Sequence, residues 1–185
     1  MKRTLSTQSG HFPDAEVVAT EAEVQAAYER IAAALQPEVF AHDCVLLGIM
    51  LGGMIPMARL AALLSGDYEM DYCQVSRYRG ATRGGDLEWL QAPRTALRDK
   101  TVLLVDDIYD EGITLEYTVN ACRELGAARV ISIVLVRKRH TRAVGSTMPE
   151  HIGLEVDDRY VFGCGMDYRH RWRHLPAIYA LRSAV

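Results

Sequence analysis

Val102–Thr114 reads Val-Leu-Leu-Val-Asp-Asp-Ile-Tyr-Asp-Glu-Gly-Ile-Thr. Its first four residues are apolar, which suits a short strand buried on both faces. Two adjacent carboxylates, Asp106 and Asp107, stand where that strand should end, and a third, Asp110, opens a small turn. Leu115, Val119, Cys122 and Leu125 then recur at helical spacing before Gly126. The order is strand, acidic edge, turn, helix. A helix N-terminus offers unpaired backbone N–H groups and the positive end of the helix dipole, a setting for a phosphate. Carboxylates repel phosphate but accept hydrogen bonds from vicinal hydroxyls. An anion on the turn and hydroxyls on the strand edge together describe a sugar phosphate.

Two plainer readings compete. Leu-Leu-Val-Asp-Asp also opens signalling receiver domains, where the acidic pair helps bind a metal beside a phospho-accepting aspartate. That reading wants the pair near the chain start. Here it lies past the middle, and the next strand candidate, Val130–Val136, runs into Arg137-Lys138-Arg139. A buried strand with a solvated acidic turn accounts for the apolar run but not for the register of Gly112 and Thr114. The whole stretch resembles the 5-phosphoribosyl-1-pyrophosphate (PRPP) signature of type I phosphoribosyltransferases, with the carboxylate pair, third carboxylate, glycine and threonine all in register. The resemblance implies that Asp106 and Asp107 hold the ribose hydroxyls and that Asp110 is the general base and acid at purine N7. It also implies that Asp110, Glu111, Gly112, Ile113 and Thr114 take the 5′-phosphate. Glu111 departs from the family's usual threonine or serine. A carboxylate about 5 Å from the phosphate would repel it by roughly 3 kcal/mol per charge at an effective dielectric of about 20. Glu111 is therefore predicted to point outward while the backbone cradles the phosphate.

The chain of 185 residues is long enough for one domain with a sizeable core, and its composition is that of an ordinary globular protein. A net charge of −3 gives no support to nucleic-acid binding. Cys44, Cys73, Cys122 and Cys164 form no C-x-x-C pair, so reduced thiols are expected rather than disulfides or zinc knuckles. No run of 18 apolar residues exists and no apolar segment follows Lys2-Arg3; a cytoplasmic protein without membrane contact is expected.

In chain order, residues 1–13 read as a flexible arm. Thr20-Glu21-Ala22-Glu23 has the form of a capping box, followed by an amphipathic helix that Pro37 is expected to stop. Cys44–Met50 reads as a second buried strand, then Leu51-Gly52-Gly53 and a helix over Ile55–Leu64. The plain reading of the glycine pair is a tight turn. Beside the PRPP stretch it is similar to the family's pyrophosphate loop, usually Leu-Lys-Gly-Gly, which implies pyrophosphate contacts at Leu51 and Gly52 and a cis Met50–Leu51 bond. Leu51 replaces the usual lysine. Met70–Tyr78 and Leu87–Leu90 read as strands around a polar loop rich in glycine and arginine. Composition alone allows a solvated tip; the resemblance implies a mobile loop over 76–86, with Tyr78 at the family's tyrosine and Arg77 at its serine.

Arg137–Arg142 could be a solvated basic turn. The resemblance extends to 6-oxopurine phosphoribosyltransferases through Lys138-Arg139-x-x-Arg142-x-Val144-Gly145, implying that Lys138 donates to purine O6. An ammonium only donates, so it selects a carbonyl over an amino group at C6. Gly153–Leu175 is similar to the family's carboxy-terminal hood. There Tyr160 falls at the aromatic that stacks on the purine and Val161 at a backbone contact to the base. Asp167 falls at a carboxylate that, with Asp106 and Asp107, serves magnesium, and Arg173 at an arginine reaching pyrophosphate. His170 and His174 are four apart but lack a third metal ligand nearby.

The expected fold is α/β: a mostly parallel sheet flanked by helices in a single phosphoribosyltransferase domain over 1–185, with a hood over 153–185. The expected activity is phosphoribosyl transfer from PRPP to hypoxanthine or guanine, with Mg2+ and a homodimeric or homotetrameric assembly. A non-catalytic nucleotide-binding protein of the same fold and a xanthine-preferring enzyme are the alternatives.

Overall fold

Three apolar runs become the central strands of a six-stranded sheet in the computed structural model, which describes residues 12–77, 87–142 and 145–182. In chain order the elements are β1 (Ala15–Ala19), α1 (Glu21–Ala41), β2 (Cys44–Ile49), α2 (Met54–Ala61), β3 (Glu69–Arg77) and β4 (Leu87–Gln91). There follow β5 (Thr101–Tyr109), α3 (Ile113–Glu124), β6 (Arg129–Arg139), β7 (His151–Asp157), β8 (Val161–Phe162) and β9 (Ile178–Leu181). The large sheet has the order β4-β3-β2-β5-β6-β7, parallel except for β3 with β4. The apolar runs conceal an alternation of period two. Leu46, Leu103, Val105, Ile131 and Ile133 share one core with α1 and α2. Val45, Leu47, Val102, Leu104 and Val134 share the other with Leu115, Val119 and Cys122 of α3. Both faces are covered, as a parallel sheet requires.

From β2 the chain moves outward to β3, and from β5 it moves the other way to β6 and β7. Connections therefore diverge between β2 and β5, and their carboxyl ends leave a crevice suited to a ligand. The glycine loop after β2 and the acidic turn after β5 both open there.

α1 starts at the predicted capping box, with Thr20 and Glu23 bonded reciprocally. Pro37 does not stop it. An internal proline costs about 3 kcal/mol, but the final turn buries Val39, which regains roughly 1.5–3 kcal/mol. β5 and β6 both outlast their apolar runs: Ile108 pairs with Val136, and Arg137 and Arg139 pair with Glu155 and Asp157 of β7. Residues 137–139 are thus strand, not turn.

A second, three-stranded antiparallel sheet has the order β1-β9-β8. The segment expected as hood is divided: β7 belongs to the large sheet, while β8 and β9 join β1 from the N-terminal side. Phe12, assigned to the arm by sequence, is instead packed edge-on against Phe162, Trp172 and Tyr179. Apolar burial against three rings fixes it.

Candidate active site

Asp106 and Asp107 lie in the second half of β5 and are both buried. Asp106 follows Val102 and Leu104, and Asp107 follows Leu103 and Val105, so their carboxyl groups leave the strand on opposite sides. The Asp107 N–H donates to Asp106 Oδ1 at 2.9 Å. Burial pushes the Asp106 carboxyl well above its ordinary range, and the Asp107 charge adds to it. Burial also raises Asp107, with the Arg173 guanidinium opposing. Two carboxylates this short of positive charge are a site for a cation or for hydroxyl donors.

The glycine loop closes on this pair. The Met50–Leu51 peptide is cis, as the resemblance implies. A Cβ on Gly52 would enter the Asp107 carboxylate, and one on Gly53 would sit 2.5 Å from the Val105 carbonyl, so both positions admit only glycine without a shift. Leu51, where the resemblance has lysine, is 54% exposed.

After β5 the chain turns through Asp110–Gly112 into α3. Gly112 has φ +78°, and a Cβ there would strike the Tyr109 ring. It is the N-cap and supplies no side-chain cap, so the first N–H groups of α3 stay available. Asp106–Leu115 line a cavity of about 300 Å³. Glu111 is part of its wall, and its main-chain carbonyl accepts from the Gly145 N–H at 2.9 Å.

Asp110 is held from the far side by residues 28 to 32 positions later in the chain. Lys138 Nζ lies 2.8 Å from Oδ2, Arg142 Nη2 2.8 Å from Oδ1, and His140 Nε2 3.0 Å from Oδ1. Burial pushes the Asp110 carboxyl up, but the hydrogen bond and charge of Lys138, followed by those of Arg142, outweigh it and leave the group below the ordinary carboxylate range. Arg142 is also bonded to Asp158 at 2.6 and 2.9 Å. Sequence reading singled out neither His140 nor Asp158; only the position of Arg142 two residues past His140 in a basic run hinted at such a cluster.

The hood supplies the remaining wall. Asp107, Asp110, Lys138, Tyr160, Val161 and Asp167 meet around a cavity of about 200 Å³ with Ile108 and Met166, two apolar residues that sequence reading did not assign. The Tyr160 hydroxyl donates to the Asp167 carbonyl at 3.1 Å. Arg173 Nη2 binds Asp167 Oδ1 at 2.6 Å, and its Nη1 reaches to 3.9 Å from Asp107 Oδ2. Arg173 thus stands between the two acids, and among the described residues no three His, Cys, Asp or Glu side chains converge as a metal site. Arg77 ends β3, and Tyr78 lies outside the described residues.

Comparison with known proteins shows the family to which such a fold belongs. Residues 16–169 match the model of the phosphoribosyl transferase domain family. The hypoxanthine-guanine phosphoribosyltransferase of Bacillus subtilis (strain 168) is 31% identical over 170 residues, covering 91% of this chain and 94% of that protein. Its namesake from Lactococcus lactis is 29% identical over 91% of this chain and 92% of that protein. A crystal structure of a hypoxanthine phosphoribosyltransferase from Staphylococcus aureus superposes with a TM-score of 0.84 at 26% identity, over 91% of this chain and 92% of that one.

Proposed function

We propose, from the premise that this chain belongs to the phosphoribosyl transferase domain family, that it is a purine-salvage enzyme. It transfers the 5-phosphoribosyl group of PRPP to N9 of hypoxanthine or guanine, giving IMP or GMP and pyrophosphate. One observation carries the reading: Lys138, Tyr160 and Asp110 share a cavity with Asp107, directly beside the anion-ready turn at the head of α3.

Asp106 and Asp107 orient the ribose through its hydroxyls. As pyrophosphate departs, C1′ gains positive charge, and a pair of buried carboxylates favours that charge more than the neutral ground state. The amides of 110–114 and the Thr114 hydroxyl take the 5′-phosphate, and Glu111 contributes its main chain. Lys138 donates to O6, Tyr160 stacks on the base, and Val161 meets its edge through the backbone. Asp110 accepts or returns the proton at N7. Leu51, Gly52 and Arg173 receive pyrophosphate.

A divalent cation fits here because Asp106 and Asp107 are short of positive charge, and magnesium is commonly held by one or two carboxylates plus substrate phosphates. Asp106, Asp107 and Asp167 do not converge on one point, so they would hold it one or two at a time together with substrate oxygens, Asp167 once Arg173 turns to the phosphates. Magnesium supplies neutralisation of the leaving pyrophosphate.

No helix among the described residues is long and apolar enough to cross a membrane. The reading includes a cytoplasmic homodimer or homotetramer and one phosphoribosyltransferase domain over 1–185; the expected mobile loop over 76–86, with Arg77 and Tyr78, lies largely outside the described residues. Pyrophosphate release, followed with PRPP, magnesium and each base separately, tests it. Turnover is expected with hypoxanthine or guanine; none with any purine would overturn the reading.

A further inference from the structure

We propose that His140 is a positioning residue for this transfer, locking the turn that carries Asp110; the proposal rests on the phosphoribosyltransferase reading above. His140 is the first residue after β6. Its Nε2 lies 3.0 Å from the main-chain oxygen of Asp110 and 3.0 Å from Oδ1 of the same residue. Both neighbours are acceptors, so Nε2 is the nitrogen that carries the proton. A single N–H therefore ties the main chain of Asp110 to its own carboxylate and fixes the side-chain rotamer.

The ring is 9% exposed, and its Nδ1 is buried without a partner among the described residues. A buried polar atom left unpaired is unfavourable, and an aliphatic side chain would fill the space without it. What an imidazole offers here is its Nε2–H.

The other holders of Asp110 cannot do the same work. Lys138 faces the base cavity, and an oxopurine competes with Oδ2 for its ammonium. Arg142 is 47% exposed and shared with Asp158. Among the described residues, His140 is the donor to Asp110 whose side chain is least exposed and whose polar contacts both fall on that residue. It keeps the carboxylate aimed while Lys138 engages the base. The Gly145 N–H, five residues on, bonds the Glu111 carbonyl at 2.9 Å, so the same arm braces the next residue of the turn.

The test is a double-mutant cycle on the full chain, read as pyrophosphate release with hypoxanthine. His140→Leu removes the donor and keeps apolar volume; it should lower kcat about tenfold or more, the effect of a hydrogen bond to a charged group, with the KM for PRPP within about threefold. His140→Gln returns an N–H at similar reach and should recover most of the loss. On an Asp110→Asn background, His140→Leu should cost less than about twofold, because the residue it positions no longer acts. An equal loss on both backgrounds overturns the proposal. So does a glutamine variant no better than leucine, or a leucine variant within twofold of wild type. Should His140→Leu not fold, His140→Ala takes its place in the same cycle. Failure of the functional reading looks different: the wild-type chain then releases no pyrophosphate with any purine, and the proposal falls with it.

Discussion

Replacing Lys138 with methionine probes base recognition directly, because methionine keeps an apolar stem and removes the ammonium. Nζ lies 2.8 Å from Asp110 Oδ2, and the lysine side chain is 14% exposed. At an effective dielectric of about 20, the gross attraction is about 6 kcal/mol. Asp110 is 37% exposed and shares its charge with Arg142, so the net value of the pair is nearer 1 kcal/mol. A purine carbonyl at C6 competes with Asp110 for that ammonium. Losing a charged donor to O6 removes about 1.5–3 kcal/mol, or roughly 10- to 150-fold in kcat/KM for hypoxanthine. Adenine has an amino group at C6 and gains nothing from the ammonium, so its rate should fall little and selectivity should contract by the same factor. The pH profile changes too. Burial pushes the Asp110 carboxyl up, while Lys138 and then Arg142 hold it below the ordinary range. Without Lys138 it rises, and the acid limb of kcat/KM moves to higher pH. Pyrophosphate release with each base across the acid and neutral range reads all three effects. A hypoxanthine kcat/KM within threefold of wild type, equal losses for the two bases, or an acid limb moving downward would refute the reasoning.

Two further substitutions test the acidic edge. Burial, then the charge of Asp107, raises the Asp106 carboxyl in the folded chain. The fold therefore binds that proton more tightly than the unfolded chain does. Its contribution to stability is full below the ordinary carboxylate range and is lost as pH climbs through the raised value. Asp106→Asn should abolish turnover yet raise Tm near neutral pH, without substrate and with a chelator present, by about 2–4 °C per kcal/mol gained. The gain should shrink on acidification; a lower Tm at neutral pH, or a gain that grows with acid, contradicts the sign. Gly52→Ala places a methyl group against the Asp107 carboxylate. Overpacking of this kind costs about 1–3 kcal/mol, so the KM for PRPP should rise about tenfold and Tm should fall. Unchanged values of both would mean the loop and Asp107 are not in contact in solution.

The parts legible from sequence and the parts that were not differ by a physical rule. β2 and the first half of β5 are buried on both faces, so local composition reports them, and the glycine and threonine register reports the turn that follows. The extension of β6 through Arg139 was illegible because its charges look solvated. In the fold, Arg137 and Arg139 face Glu155 and Asp157 across the ladder to β7, and opposite charges at paired positions stabilise a strand as well as apolar pairs do. That pairing is a relation between segments some 18 residues apart, invisible to any local window. It also decides the site. Continuing β6 as strand carries Lys138 to the edge where β5 ends, and drops His140 and Arg142 onto Asp110 from a segment with no motif of its own. The residues proposed to meet substrate through backbone or charge announce themselves by type and spacing. Those that hold the former in place are set by where two strands happen to stop, and only the folded chain brings those endpoints together.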